Sequence, residues 1–151
     1  GPAAVPGRRA AVVDGAVFEA LGSEQAPVVP VGDIVYEPDG AVIRAGLVDD
    51  LAAELGAGRL DAHVAYLTAT DTVSTPFADA FEVTEVLPFD ERTLRGWVRE
   101  RGIGTLEIKK RGREVDPAAL RRRLKPKGRA AATLILTPAP GGAVALICRR
   151  G

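Results

Sequence analysis

Few residues in this 151-residue chain are of types that do covalent or metal chemistry, and those few do not converge. The only histidine, His63, stands in Leu60-Asp61-Ala62-His63-Val64, and the only cysteine, Cys148, lies far along the chain. A zinc site needs three or four convergent nitrogen or sulfur ligands, which one His and one Cys cannot supply. His63 reads instead as a loop residue just ahead of a strand, because acid–base and metal sites need partners beside them. The chain contains no Gly-x-Ser-x-Gly, no Cys-x-x-Cys, no Walker loop and no Gly-x-Gly-x-x-Gly. Gly102-Ile103-Gly104 has the look of a cofactor loop, but it precedes a strand where the fingerprint requires a strand-to-helix turn. No catalytic residue and no metal ligand are assigned.

What the sequence does concentrate is positive charge. Lys109, Lys110, Arg111, Arg113, Arg121, Arg122, Arg123, Lys125, Lys127 and Arg129 place ten cations within 21 residues, opposed only by Glu114 and Asp116. That density suits the neutralisation of phosphates. Exposed aromatic residues are scarce here, so recognition would be of backbone and shape more than of stacked bases. The bland alternative is a solvated helix face, since basic runs have low specificity. Across the chain the charges cancel but do not mix. Residues 1–91 hold 4 Lys/Arg against 16 Asp/Glu, a net −12, and residues 92–151 hold 16 against 4, a net +12. Such a split points either to a polyanionic partner or to surfaces that attract each other. A second candidate is Tyr36-Glu37-Pro38-Asp39-Gly40 with Arg44, where Tyr36 and Arg44 could face a ligand or another domain. The Pro and Gly of that stretch also suit a plain turn before a helix, which is the favoured reading.

The elements that must position these residues follow from periodicity and punctuation. Asp14-Gly15 between Arg9–Val13 and Ala16–Ala20 is a strong hairpin signal. Residues 21–32 form a polar connector. Ile43, Leu47, Leu51 and Leu55 recur at i+4 and predict a helix over 41–55, with Asp39 near its start and Gly56 just past its end. Val64–Thr68 and Phe81–Leu87 read as strands. Asp90 caps a helix to about Arg101 with Leu94, Trp97 and Val98 inward, stopped by Gly102. Thr105–Lys110 is a strand with Leu106 and Ile108 inward. Asp116-Pro117 opens a short helix that buries Leu120 and Leu124. The apolar runs Ala130–Thr137 and Ala143–Cys148, joined by Pro138-Ala-Pro-Gly-Gly142, form an antiparallel pair. The fold class is α+β: a mixed, largely antiparallel sheet covered by about three helices and preceded by a short β-hairpin.

Composition is that of a globular domain, 46% hydrophobic and 26% charged. No apolar run spans a bilayer, no secretory signal is visible, and one cysteine suits a reducing cytosol. Gly1-Pro2 resembles an expression-tag remnant, and the lack of any methionine marks the chain as a fragment. The expected organisation is residues 1–2 as the remnant, 3–31 as a strand pair and connector from an upstream domain, and 32–151 as the main domain.

Four ordered motifs then carry a resemblance: Tyr36-Glu-Pro-Asp-Gly-Ala-Val-Ile-Arg-Ala-Gly-Leu47; Leu60-Asp61 ahead of Ala65-Tyr-Leu-Thr68; Gly104-Thr-Leu-Glu-Ile-Lys-Lys-Arg-Gly112; and Val115-Asp-Pro-Ala-Ala-Leu-Arg-Arg-Arg-Leu124. Over about Gly32–Arg149 the chain resembles the THUMP-like C-terminal domain of actinobacterial class I S-adenosylmethionine-dependent methyltransferases. The resemblance implies a THUMP-like fold and a cytoplasmic parent methyltransferase with S-adenosylmethionine bound upstream of this chain. It further implies a domain that presents RNA, tRNA first, to its own methyltransferase domain. The alternative is a structural or oligomerisation domain, docking its basic half on an acidic surface or a second copy, in a methyltransferase with another substrate.

Overall fold

The computed structural model describes residues 9–112 and 114–150. The chain divides into two compact units, Gly1–Ala80 and Phe81–Gly151. In the first unit, β1 (Ala10–Val13) pairs antiparallel with β2 (Ala16–Glu19). Their turn needs two consecutive residues with positive φ, which Asp14 (48°) and Gly15 (83°) supply. Ala11 and Phe18 turn inward, and the Phe18 ring lies 5.2 Å from that of Phe77. The hairpin expected to belong with an upstream domain thus shares the core of this unit, and the boundary falls after Ala80, not after residue 31.

The predicted helix over 41–55 is two helices, α1 (Gly40–Arg44) and α2 (Val48–Leu55). The apolar stripe continues through the break: Val42, Leu47, Leu51 and Leu55 are all buried. Periodicity therefore did not reveal it. The break comes from Gly46, whose φ of 70° ends α1, while the Arg9 guanidinium donates to the terminal carbonyls of Ala45 (3.3 Å) and Gly46 (3.0 Å). Around the helices, β3 (Ile34–Pro38), β4 (Gly58–Arg59) and β5 (Leu67–Ala69) form antiparallel pairs in the order β4-β5-β3. The strand expected over 64–68 starts only at Leu67. The connector is tied down by α2: the Asp50 carboxylate accepts from Leu21 N–H (3.2 Å) and Ser23 N–H (2.8 Å), and Asp49 from Ala26 N–H (2.9 Å).

The second unit is built on β6 (Ala78–Pro88), α3 (Glu91–Glu100), β7 (Ile103–Lys110), α4 (Pro117–Leu124), β8 (Ala130–Ala139) and β9 (Gly142–Arg150). Strand order is β6-β9-β8-β7, with β6–β9 and β9–β8 antiparallel. β7 and β8 are parallel, joined by α4 as the crossover that a parallel pair requires. Asp90 caps α3 by accepting from Thr93 N–H, and Asp116 caps α4 by accepting from Ala118 and Ala119 N–H. Register places Leu106, Ile108, Leu134, Leu136, Ala145 and Ile147 on one sheet face. Leu94, Trp97 and Val98 of α3 and Leu120 and Leu124 of α4 pack into the same cluster. The fold is α+β, with a mostly antiparallel sheet and four helices after a two-strand hairpin. The additional helix arises from the division at Gly46.

Candidate nucleic-acid interface

The basic stretch folds as a strand–helix–strand unit, β7-α4-β8, at the end of the sheet. Its cations do not share one role. Arg121 turns inward: its Nε donates to the Leu106 carbonyl oxygen at 2.8 Å, satisfying an acceptor on the last strand of the order. Arg123 reaches α3, its Nε 2.8 Å from Glu91 Oε1. Lys109 lies over the Phe81 ring, 5.8 Å from its centre, on the face opposite the helices. Arg111 is half-buried, and Arg113 lies outside the described residues. Lys110, Arg122, Lys125, Lys127 and Arg129 are exposed.

Two of these exposed cations meet residues from another element. Arg95, Val98 and Arg99 of α3, the turn at Gly102, and Leu124, Lys125, Lys127 and Gly128 line a cleft of about 430 Å³. The lining holds four cations and no carboxylate. Arg95 is within 3.6 Å of Glu91 one turn earlier. Among the described residues, Arg99, Lys125 and Lys127 make no ion pair within 4.0 Å. Part of this charge answers the carbonyl ends of α3 and α4, which converge here, but two helix C-termini amount to only about −1 in all. The cleft therefore keeps a positive field.

Glycine sets its shape. Gly102, Gly104 and Gly128 bring two backbone segments into direct contact: a Cβ on Gly104 would collide with the Gly128 carbonyl, and one on Gly128 with the Gly102 carbonyl. The crossing is held by Lys127 N–H (3.0 Å) and Gly128 N–H (3.2 Å) donating to Ile103 oxygen, and by Ala130 N–H donating to Gly102 oxygen (3.0 Å). Gly102-Ile-Gly104 is thus a close-packing motif. The Gly128 backbone fills the space that a cofactor phosphate would need.

The second sequence candidate separates. Tyr36 is fully buried, its hydroxyl donating to Asp71 oxygen (3.1 Å) and accepting from Val73 N–H (2.7 Å), so it anchors the 70–76 loop. Arg44 is exposed on α1. His63 is an exposed turn residue, its N–H donating to Asp61 Oδ1. Cys148 is buried, and desolvation pushes its thiol up to about 12. No group of three or more His, Cys, Asp or Glu suited to a metal occurs among the described residues. No helix among them is long and apolar enough to cross a membrane.

Arg95 and Arg99 were missed by the sequence reading, which sought one contiguous run. The only signal available was their i, i+4 spacing on the polar side of α3, and nothing in the sequence says that this side faces the end of α4.

The second unit is thus an α+β domain that carries a basic, glycine-shaped cleft between two helices. Residues 78–150 match the model of the family described as THUMP domain-like, and this part of the chain belongs to that family. Uncharacterized S-adenosylmethionine-dependent methyltransferases of two Mycobacterium tuberculosis strains are 38% identical over 149 residues, which is 94% of this chain and 40% of theirs. The chain therefore spans less than half the length of these curated relatives. A crystal structure of a Porphyromonas gingivalis W83 protein assigned as a methyltransferase superposes with a TM-score of 0.75 at 24% identity, over 90% of this chain and 34% of that one. That likeness is one of fold.

Proposed function

We propose that the chain is the RNA-binding accessory part of an S-adenosylmethionine-dependent methyltransferase, and that it holds structured RNA, tRNA first, for modification by a domain outside this chain. The observation that carries this reading is the cationic cleft and rim of the second unit: Arg95, Arg99, Arg122, Lys125, Lys127 and Arg129, with no acid in the cleft lining. The charge split supports it. Residues 1–80 hold 4 basic and 12 acidic residues and residues 81–151 hold 16 and 8, so the THUMP-like unit alone is net +8. Polyphosphate backbones select such a field by counterion release. S-adenosylmethionine would be bound by the parent's other domain, and this chain's residues would position the substrate.

The test is ultraviolet crosslinking of the 151-residue chain to tRNA, followed by peptide mapping, with light scattering in parallel. Crosslinked peptides from residues 92–101 and 121–130, reduced by Arg122→Glu with Lys127→Glu, support the reading. A salt-sensitive dimer without RNA crosslinks replaces it with the oligomerisation role, in which the −8 and +8 units of two copies pair.

A further inference from the structure

We infer that the cleft between α3 and the α4–β8 loop receives a single unpaired nucleotide of the RNA strand, not a duplex backbone. The inference rests on the RNA-binding reading above and specifies its substrate form.

Three observations lead to it. The cleft, about 430 Å³, falls in the lower part of the size range of small-ligand sites (roughly 300–1,000 Å³) and so admits one nucleotide, not a helix. Its walls divide by chemistry. Val98 and Leu124 are both almost wholly buried and, with Gly102 and Gly128, make an apolar floor; Arg95, Arg99, Lys125 and Lys127 supply the charge. A site for phosphate alone needs no apolar floor, and a surface that only tracks a duplex needs no recess. Finally, the missing side chains of Gly102 and Gly128 give a flat stretch of backbone beside Arg99, and a guanidinium plane is a surface on which a base can stack. In this arrangement Lys125 and Lys127 hold the flanking phosphates, and Arg99 covers the base or ribose against the floor. Paired bases remain stacked inside their helix and cannot enter.

The experiment compares a 12-nucleotide single strand with a hairpin duplex of matched composition, by fluorescence anisotropy on the whole chain and on Arg99→Ala with Lys127→Ala. Both side chains are exposed, so a thermal melt of the variant confirms that it is folded. In parallel, methyl NMR follows Val98 and Leu124 during titration with adenosine 5′-monophosphate and with inorganic phosphate. The inference expects at least about tenfold preference for the single strand, loss of most of it in the variant, and movement of both methyl signals with the nucleotide but not with phosphate. Equal binding of the two RNAs, both weakened by the variant, would overturn the nucleotide pocket and leave the RNA-binding reading standing. Failure to bind either RNA would overturn both.

Discussion

Gly104→Ala should unfold the end of the molecule that forms the cleft, and the structure sets how severely. An added Cβ meets the carbonyl oxygen and carbon of Gly128, which are backbone atoms and cannot swing aside. Gly104 is also the position where the β7–β8 register slips, between the pairs Ile103–Ala130 and Thr105–Ala131, so no slack remains on that side. Relief requires the 126–130 segment to lift, which endangers the bonds from Lys127, Gly128 and Ala130 N–H to Ile103 and Gly102. Losing two or three such bonds at roughly 1 kcal/mol each, with some strain remaining, amounts to about 2–4 kcal/mol. For a unit of this size that is a fall in Tm of roughly 10–25 °C. Trp97 is the only tryptophan and packs in the core of the second unit, so its fluorescence reports this melt directly. Gly96→Ala is the control: it sits inside α3 with nothing within 4 Å of its added Cβ, and it should stabilise by about 0.5–1 kcal/mol. A Gly104→Ala melt within about 2 °C of the parent would refute the argument that the glycines exist for close backbone packing.

Other consequences follow from the same coordinates. Asp116→Ala removes the acceptor for Ala118 and Ala119 N–H and should cost about 1 kcal/mol in a Trp97-monitored melt; no change would deny the cap. Cys148, its thiol at about 12, is about one part in ten thousand thiolate at pH 8, so Ellman's reagent should react only at the rate of unfolding. Prompt labelling of the native chain would contradict its burial. Hydrogen bonding by Arg59 holds Asp49 below the usual carboxylate range, and Asp50 is lowered too, because N–H donation from Ser23 and Leu21 outweighs its desolvation. Depressed folded-state values mean stability that is present above about pH 4 and lost as pH falls through the folded values. Acid unfolding of the first unit should therefore be less steep in Asp49→Asn and Asp50→Asn, at the cost of lower stability at pH 7; an unchanged acid slope would contradict the assignment.

Local chemistry was the legible part of this sequence. Asp14-Gly15, the caps Asp39, Asp90 and Asp116, and Pro117 at the start of α4 each act through their own backbone, so their signal is complete within a few residues. The paired apolar runs of β8 and β9 were legible because both strands carry continuous burial. Gly46 was hidden by a stripe that survives the break, and β4, only two residues long, is too short for any period. The parallel β7–β8 pairing is a tertiary choice, made when α4 returns the chain over one face of the sheet. The site was half legible for the same reason. Lys125 and Lys127 stood out in a charged run, but Arg95 and Arg99 join them only because α3 and α4 share that face. Tyr36, prominent in sequence, was spent on anchoring a loop.

The most direct test of the central claim, that these cations neutralise RNA phosphates, is the salt dependence of binding. The slope of log K against log salt should be measured for the chain on a single-stranded oligonucleotide, and again for Arg99→Ala/Lys125→Asn/Lys127→Ala. Asparagine is chosen at 125 because that residue holds a φ of 52°, which Asn tolerates. Three lost phosphate contacts at about 0.7 each predict a slope shallower by about 2. An unchanged slope, or binding indifferent to salt, would contradict it.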